Sequence, residues 1–148
     1  MNKLIVIPFA VFVAVFWLEE IFPHASQKVS RSKHGLNNIA ISFLGGIVNL
    51  VFLVLFIPVA QRWNPAGQAG LLGGLTLAPV VSIALLFLLF DLWMYLWHMA
   101  NHRIGFLWLF HRAHHSDTDM DSTTALRTHP FELVAASFFN VWLVFLFG

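Results

Sequence analysis

Leu75–His102 reads LTLAPVVSIALLFLLFDLWMYLWHMANH, an apolar run that turns aromatic, takes up one acid at Asp91 and ends on paired histidines. Its apolar part, Leu75–Phe90, approaches the roughly 20 residues that cross a hydrocarbon core as a helix. Three further runs share this character: Leu4–Leu18, Ile39–Ala60 and Phe131–Phe147. With 59% hydrophobic and only 10% charged residues, the chain lacks the polar surface of a soluble domain, which is about a quarter charged. The sequence therefore predicts an all-α, integral membrane helical bundle with about four transmembrane helices, residues 1–148 forming a single transmembrane domain. Glu19 and Glu20 close the first run where a signal cleavage region would carry small neutral residues, so Leu4–Leu18 is read as an uncleaved span.

The charges are few but placed with a bias. Lys28, Arg31 and Lys33 lie between the first two runs and Arg103, Arg112 and Arg127 between the last two, whereas the middle connection holds only Arg62. The positive-inside rule then puts the N-terminus outside and the whole of His98–His129 on the cytoplasmic side. The connections Pro23–Asn38 and Gln61–Gly74 are short and polar or glycine-rich, as turns between helices are. A formal net charge of +1 gives no basic face for nucleic acid. The absence of cysteine excludes disulfides, thiolate zinc sites and cysteine-bound iron–sulfur clusters.

Five of the eight histidines fall within Trp97–Ser116, as His98 and His102 and then His111, His114 and His115. Side chains three and four apart on a helix project from one face, so each group forms a claw. Gly105 between them is expected to break or turn the helix and fold the second claw back on the first. A site built from neutral imidazoles suits iron, zinc, copper or nickel and excludes magnesium and calcium. His129, just before Pro130, is read with equal weight as a sixth ligand or a hydrogen-bonded interface residue. His24 and His34, each isolated, are read as satisfied or exposed imidazoles.

Asp91 shares the helical face of His98 and His102 and is expected to accept a hydrogen bond from a ligating imidazole, with a snorkelling ion pair to Arg103 as the alternative. Asp117, Asp119 and Asp121 are read as a solvated loop, since the later residues of a calcium loop are missing. Trp93, Trp97 and Trp108 need nothing beyond an interfacial aromatic belt. Arg127 is a candidate to pair with Glu132 or to hold a polar ligand.

Taken together, HMANH, HRAHHSD and TTALRTHPFE, following an acid and aromatic residues at the end of a span, resemble the bacterial sterol desaturase-like proteins of the fatty acid hydroxylase superfamily. The likeness is concentrated in a histidine-box region at 91–132, and Met99 stands where that family usually has arginine. The resemblance implies a membrane-bound non-haem di-iron oxygenase with His98, His102, His111, His114 and His115 among its metal ligands. It implies two iron ions as cofactor, with O2, a lipid substrate and an electron-donor protein, a small cytochrome or a ferredoxin with its reductase, as partners. It also implies a further histidine box, absent here, so the chain is expected to be the N-terminal part of a longer protein that continues beyond Gly148. The expected reaction is hydroxylation or desaturation of a lipid such as a sterol or fatty acyl chain, with this chain alone inactive. Zinc is the alternative metal, and a zinc-dependent membrane hydrolase or a non-enzymatic metal- or haem-binding membrane protein are the alternative readings.

Overall fold

A computed structural model describes residues 3–22, 28–63, 70–71, 75 and 77–147. The order is α1 (Lys3–Ile21), α2 (Arg31–Trp63), α3 (Pro79–Arg103), α4 (Gly105–His115), a short 3-10 turn at Ser122–Leu126, and α5 (Pro130–Phe147). No strand occurs among the described residues. The helices α2, α3 and α5 are each long and apolar enough to cross a membrane, and they contain most or all of the second, third and fourth apolar runs. The first run folds as α1, and His24 lies outside the described residues.

Among the described residues, the burial pattern is the inverse of a soluble protein. Only Ala60 and Trp97 are buried apolar residues, whereas His34, Asn38, Asn101, His111, Asp119, Thr123 and Thr124 are all buried. Large apolar side chains such as Phe43, Leu55 and Phe87 face outward. Helices that are apolar all round belong in a hydrocarbon solvent, where they need no aqueous face.

α2 packs along α5. The approach is close at Gly45, where an added Cβ would lie 2.8 Å from Leu133 Cδ1 and 3.6 Å from the Thr128 carbonyl oxygen, the small-residue contact that lets membrane helices meet. Further along, Phe56 packs on Phe138 and Trp142. α3 reaches α5 through Trp93, whose Nε1 donates to Asn140 Oδ1 at 2.9 Å, so this tryptophan does more than mark an interface.

With 33 residues at about 1.5 Å each, α2 is about 50 Å long, well beyond a hydrocarbon core of about 30 Å. Its helical start takes in Arg31–Asn38, expected to be part of a loop. This polar first part carries His34 and Asn38 to the end of the molecule where α4 and the 3-10 turn lie, since α2 contacts that turn.

Candidate metal centre

The joint between α3 and α4 is one residue. Ile104 has φ −96° and ψ 111°, an extended conformation, and it serves both as the C-cap of α3 and the N-cap of α4. Its N–H still donates to the Ala100 carbonyl at 2.8 Å, and its own carbonyl accepts from Trp108 N–H at 2.9 Å. The chain therefore folds back where the sequence suggested, but the break sits at Ile104. Gly105 starts α4 without a positive φ, and a Cβ there would meet nothing within 4 Å.

This joint brings the two claws face to face. His98 and His102 Nε2 atoms lie 3.1 Å apart, as do those of His111 and His115. Across the joint, the ring centroids of His98 and His111, and of His102 and His111, are both 4.9 Å apart, and those of His102 and His115 are 4.7 Å apart. One ligand atom from each of these four residues falls within 4.8 Å of the other three. A tetrahedron with metal–nitrogen bonds of about 2.0–2.1 Å has nitrogens about 3.3 Å apart, so small rotations of the rings would close the four on one ion.

The other two histidines expected at the site stand aside. His114 meets His115 edge to face with ring centroids 5.2 Å apart and is not one of the four. The ring of His129 packs on Phe110 at 5.1 Å, and its Nδ1 accepts from Phe131 N–H at 3.1 Å.

The carboxylate that meets the cluster is Glu132. Its Oε1 accepts from His111 Nδ1 at 2.8 Å, with the two side chains only 11% and 4% exposed. Holding the proton on Nδ1 leaves Nε2 as the atom with a free lone pair, the tautomer a ligand needs. Asp91 lies seven residues before His98, about 10 Å of helix rise away. It is exposed and makes no hydrogen bond to a cluster histidine among the described residues. Arg127 pairs with neither Glu132 nor any other acid among the described residues: it donates to the Ala113 carbonyl, Ser116 Oγ and Asn38 Oδ1.

Trp108 completes one wall, its ring 5.4 Å from that of His102 and 5.6 Å from that of His115. Its position three residues before His111 and seven before His115 was the available signal, since those offsets share a helix face. Partial desolvation, then repulsion from His111, His102, His114 and His98, holds the His115 imidazole below its ordinary range and favours the neutral, metal-binding form. An apolar groove of about 490 Å³, lined by Trp97, Ala100, Phe106, Phe131 and Phe139 among others, runs along the faces of α3 and α4 that point away from the histidines. His98, His102 and His115 are exposed on the opposite side.

The three aspartates of the following loop are not solvated. Asp117 and Asp121 are 4% and 3% exposed and flank His34, and Asp119 accepts from the backbone N–H groups of Lys28 and Val29. Burial alone would raise the Asp117 carboxyl, but hydrogen bonds from Thr124, His34 and the Asp119 N–H, with the charge of His34, bring it down to about 2.

Four converging imidazoles with a carboxylate behind one of them fit iron or zinc and do not suit magnesium or calcium. No curated protein and no solved structure matches the chain. The fatty acid hydroxylase family model matches residues 83–148, a segment that holds the four histidines, the Ile104 joint and Glu132. The likeness carried by HMANH, HRAHHSD and TTALRTHPFE is therefore matched by a family model over the same segment: residues 83–148 are similar to the fatty acid hydroxylase family, consistent with the fatty acid hydroxylase superfamily.

Proposed function

We propose that the protein is the metal-bearing part of a membrane-bound oxygenase that hydroxylates or desaturates a lipid, with His98, His102, His111 and His115 as ligands of one iron ion. The observation that carries this reading is the convergence of both histidine boxes on a common point, within the segment that matches the family. Iron, when bound, would supply the activation of O2 with two electrons from a donor protein. The chain's own residues do the rest. Glu132 orients His111, Trp108 shields one side of the imidazoles, and the apolar exterior lets a lipid reach the exposed side of the cluster without leaving the bilayer. A second ion calls for donors beyond these four, with His114 as the first candidate. In this reading α1 is the fourth span and the cluster lies on the cytoplasmic side, as the distribution of lysine and arginine supports.

A single zinc ion has one observation in its favour, since four imidazoles fill a tetrahedral shell. Metal analysis of the protein purified from membranes separates the two. Iron in the purified protein, lost on His102→Ala and with at least the ion of the four-histidine set retained on His114→Ala, together with O2-dependent oxidation of a membrane lipid by the full-length protein, is the expected outcome. Stoichiometric zinc with no oxygen consumption would refute the oxygenase.

A further inference from the structure

His34 is isolated in the sequence but not in the fold. It is 7% exposed and lies between two carboxylates, with Nε2 2.8 Å from Asp117 Oδ1 and Nδ1 3.1 Å from Asp121 Oδ2. An ionised carboxylate only accepts, so both ring nitrogens must donate, and the ring that fits carries a proton on each. Asp117 and Asp121 have further donors in Thr124 Oγ1, at 2.6 Å, and Thr123 N–H, at 2.8 Å. His34 is thus the crosspiece that joins α2 to the loop following α4.

That loop begins where the cluster needs support. Asp117 lies two residues beyond His115, and the end of α4 carries both His111 and His115. A helix of 11 residues is too short to hold its own ends, and its last carbonyls lack helical partners. One of them, on Ala113, accepts from Arg127 Nε at 3.0 Å and from Ser116 Oγ at 2.8 Å. The same arginine reaches Asn38 Oδ1 at 3.3 Å, one helical turn along α2 from His34. The first part of α2 therefore grips the end of α4 at two points, through His34 to Asp117 and through Asn38 to Arg127. At its other end α4 follows α3 directly through the extended residue Ile104.

We propose that His34 is a positioning residue of the histidine cluster: from a helix that supplies no ligand, it holds the last turn of α4 so that His111 and His115 stay in register with His98 and His102. The proposal rests on the reading that these four histidines bind a metal ion. A ligand set tolerates displacements of only about 0.5 Å, and the free end of a short helix moves more than that unless it is tied. The surrounding residues suit this purpose, because Thr124 Oγ1 donates to Asp117, Thr123 N–H donates to Asp121, and Asn38 Nδ2 donates to Thr123 Oγ1, so the frame around His34 is itself hydrogen-bonded.

The test uses the full chain in detergent micelles with Co2+ as the probe, read by visible absorption and by competition with a chelator. The wild type is expected to bind one Co2+ with the intense bands of a four-coordinate ion. His34→Ala should lower Co2+ affinity by about 10- to 100-fold, the usual effect of losing a group that supports a ligand, and should weaken or shift those bands while far-ultraviolet circular dichroism keeps its helical signal. The double variant His34→Ala/Asp117→Asn should lose no more than the worse single variant, since the two act through one contact. Trp93→Phe, which removes the bond from α3 to Asn140 on α5 and touches neither His34 nor its aspartates, should lower the unfolding temperature and leave the cobalt spectrum alone. Wild-type affinity and spectrum in His34→Ala, or losses that add in the double variant, would overturn the proposal. If His34→Ala does not fold, Arg127→Met tests the second grip, and unchanged cobalt binding there overturns it equally. A wild type that binds no cobalt overturns the metal reading itself, whereas a binding wild type with an indifferent His34→Ala overturns the positioning role alone.

Discussion

Glu132 offers the sharpest test of how this cluster prepares a ligand. Its Oε1 lies 2.8 Å from His111 Nδ1, with the glutamate side chain 11% exposed and the histidine 4%, so water cannot readily replace either partner. Glu132→Ala leaves a buried imidazole N–H without an acceptor, a penalty of about 1–3 kcal/mol. It also frees the ring to place its proton on the nitrogen that should face the metal. Loss of a supporting carboxylate ordinarily lowers metal affinity about 10- to 100-fold, which is about 1.4–2.8 kcal/mol. Glu132→Gln keeps an acceptor oxygen of nearly the same shape without the charge, so it should fall at the small end of that range and Glu132→Ala at the large end. Competitive Co2+ or Zn2+ titration of the purified chain against a chelator measures both. Affinity within threefold of wild type for Glu132→Ala would refute the reasoning, as would a glutamine variant weaker than the alanine one.

Packing and loop stability give two more expectations. Gly45→Val places new methyl groups against Leu133 and the Thr128 carbonyl and should destabilise the α2–α5 pair by about 1–3 kcal/mol, whereas Gly46→Ala meets open space and should be neutral or slightly stabilising; thermal unfolding in detergent compares them. The Asp117 carboxyl is brought from 3.8 to about 2 in the fold, so it contributes stability that is complete above about pH 4 and is lost as pH falls toward 2. Asp117→Asn should therefore cost about 2 kcal/mol at neutral pH and flatten that acid limb of the unfolding profile; a limb identical to wild type would count against it.

Much of the centre was legible from local spacing. The intervals His98–His102 and His111–His115 are single turns of helix, and a helix needs no tertiary information to align them. The apolar runs marked α2, α3 and α5 for the same reason, since length and hydropathy are properties of a segment alone. What escaped depends on partners far away in the chain. His34 meets Asp117 and Asp121 across 83 and 87 residues, and Glu132 reaches His111 across 21. Asp91, on the same helix as the first claw, looked like the nearer carboxylate, but its exposed side chain stands about two turns from His98. A chain break before Gly105 was readable from the glycine, yet the unusual dihedral angles belong to Ile104, because an extended residue suffices to separate two helices and no left-handed turn is required.

The polar interior and apolar exterior invert the customary map of mutational tolerance. On the outer faces of α2, α3 and α5, one aliphatic residue serves the surrounding lipid nearly as well as another, so those positions are free to drift between leucine, isoleucine, valine and phenylalanine. The shape of the molecule rests instead on a handful of buried asparagines, threonines, aspartates and histidines. A design that aimed to stabilise this protein by enriching its outer hydrophobicity would gain little, whereas one exchange among those few hydrogen-bonding side chains could undo the whole arrangement.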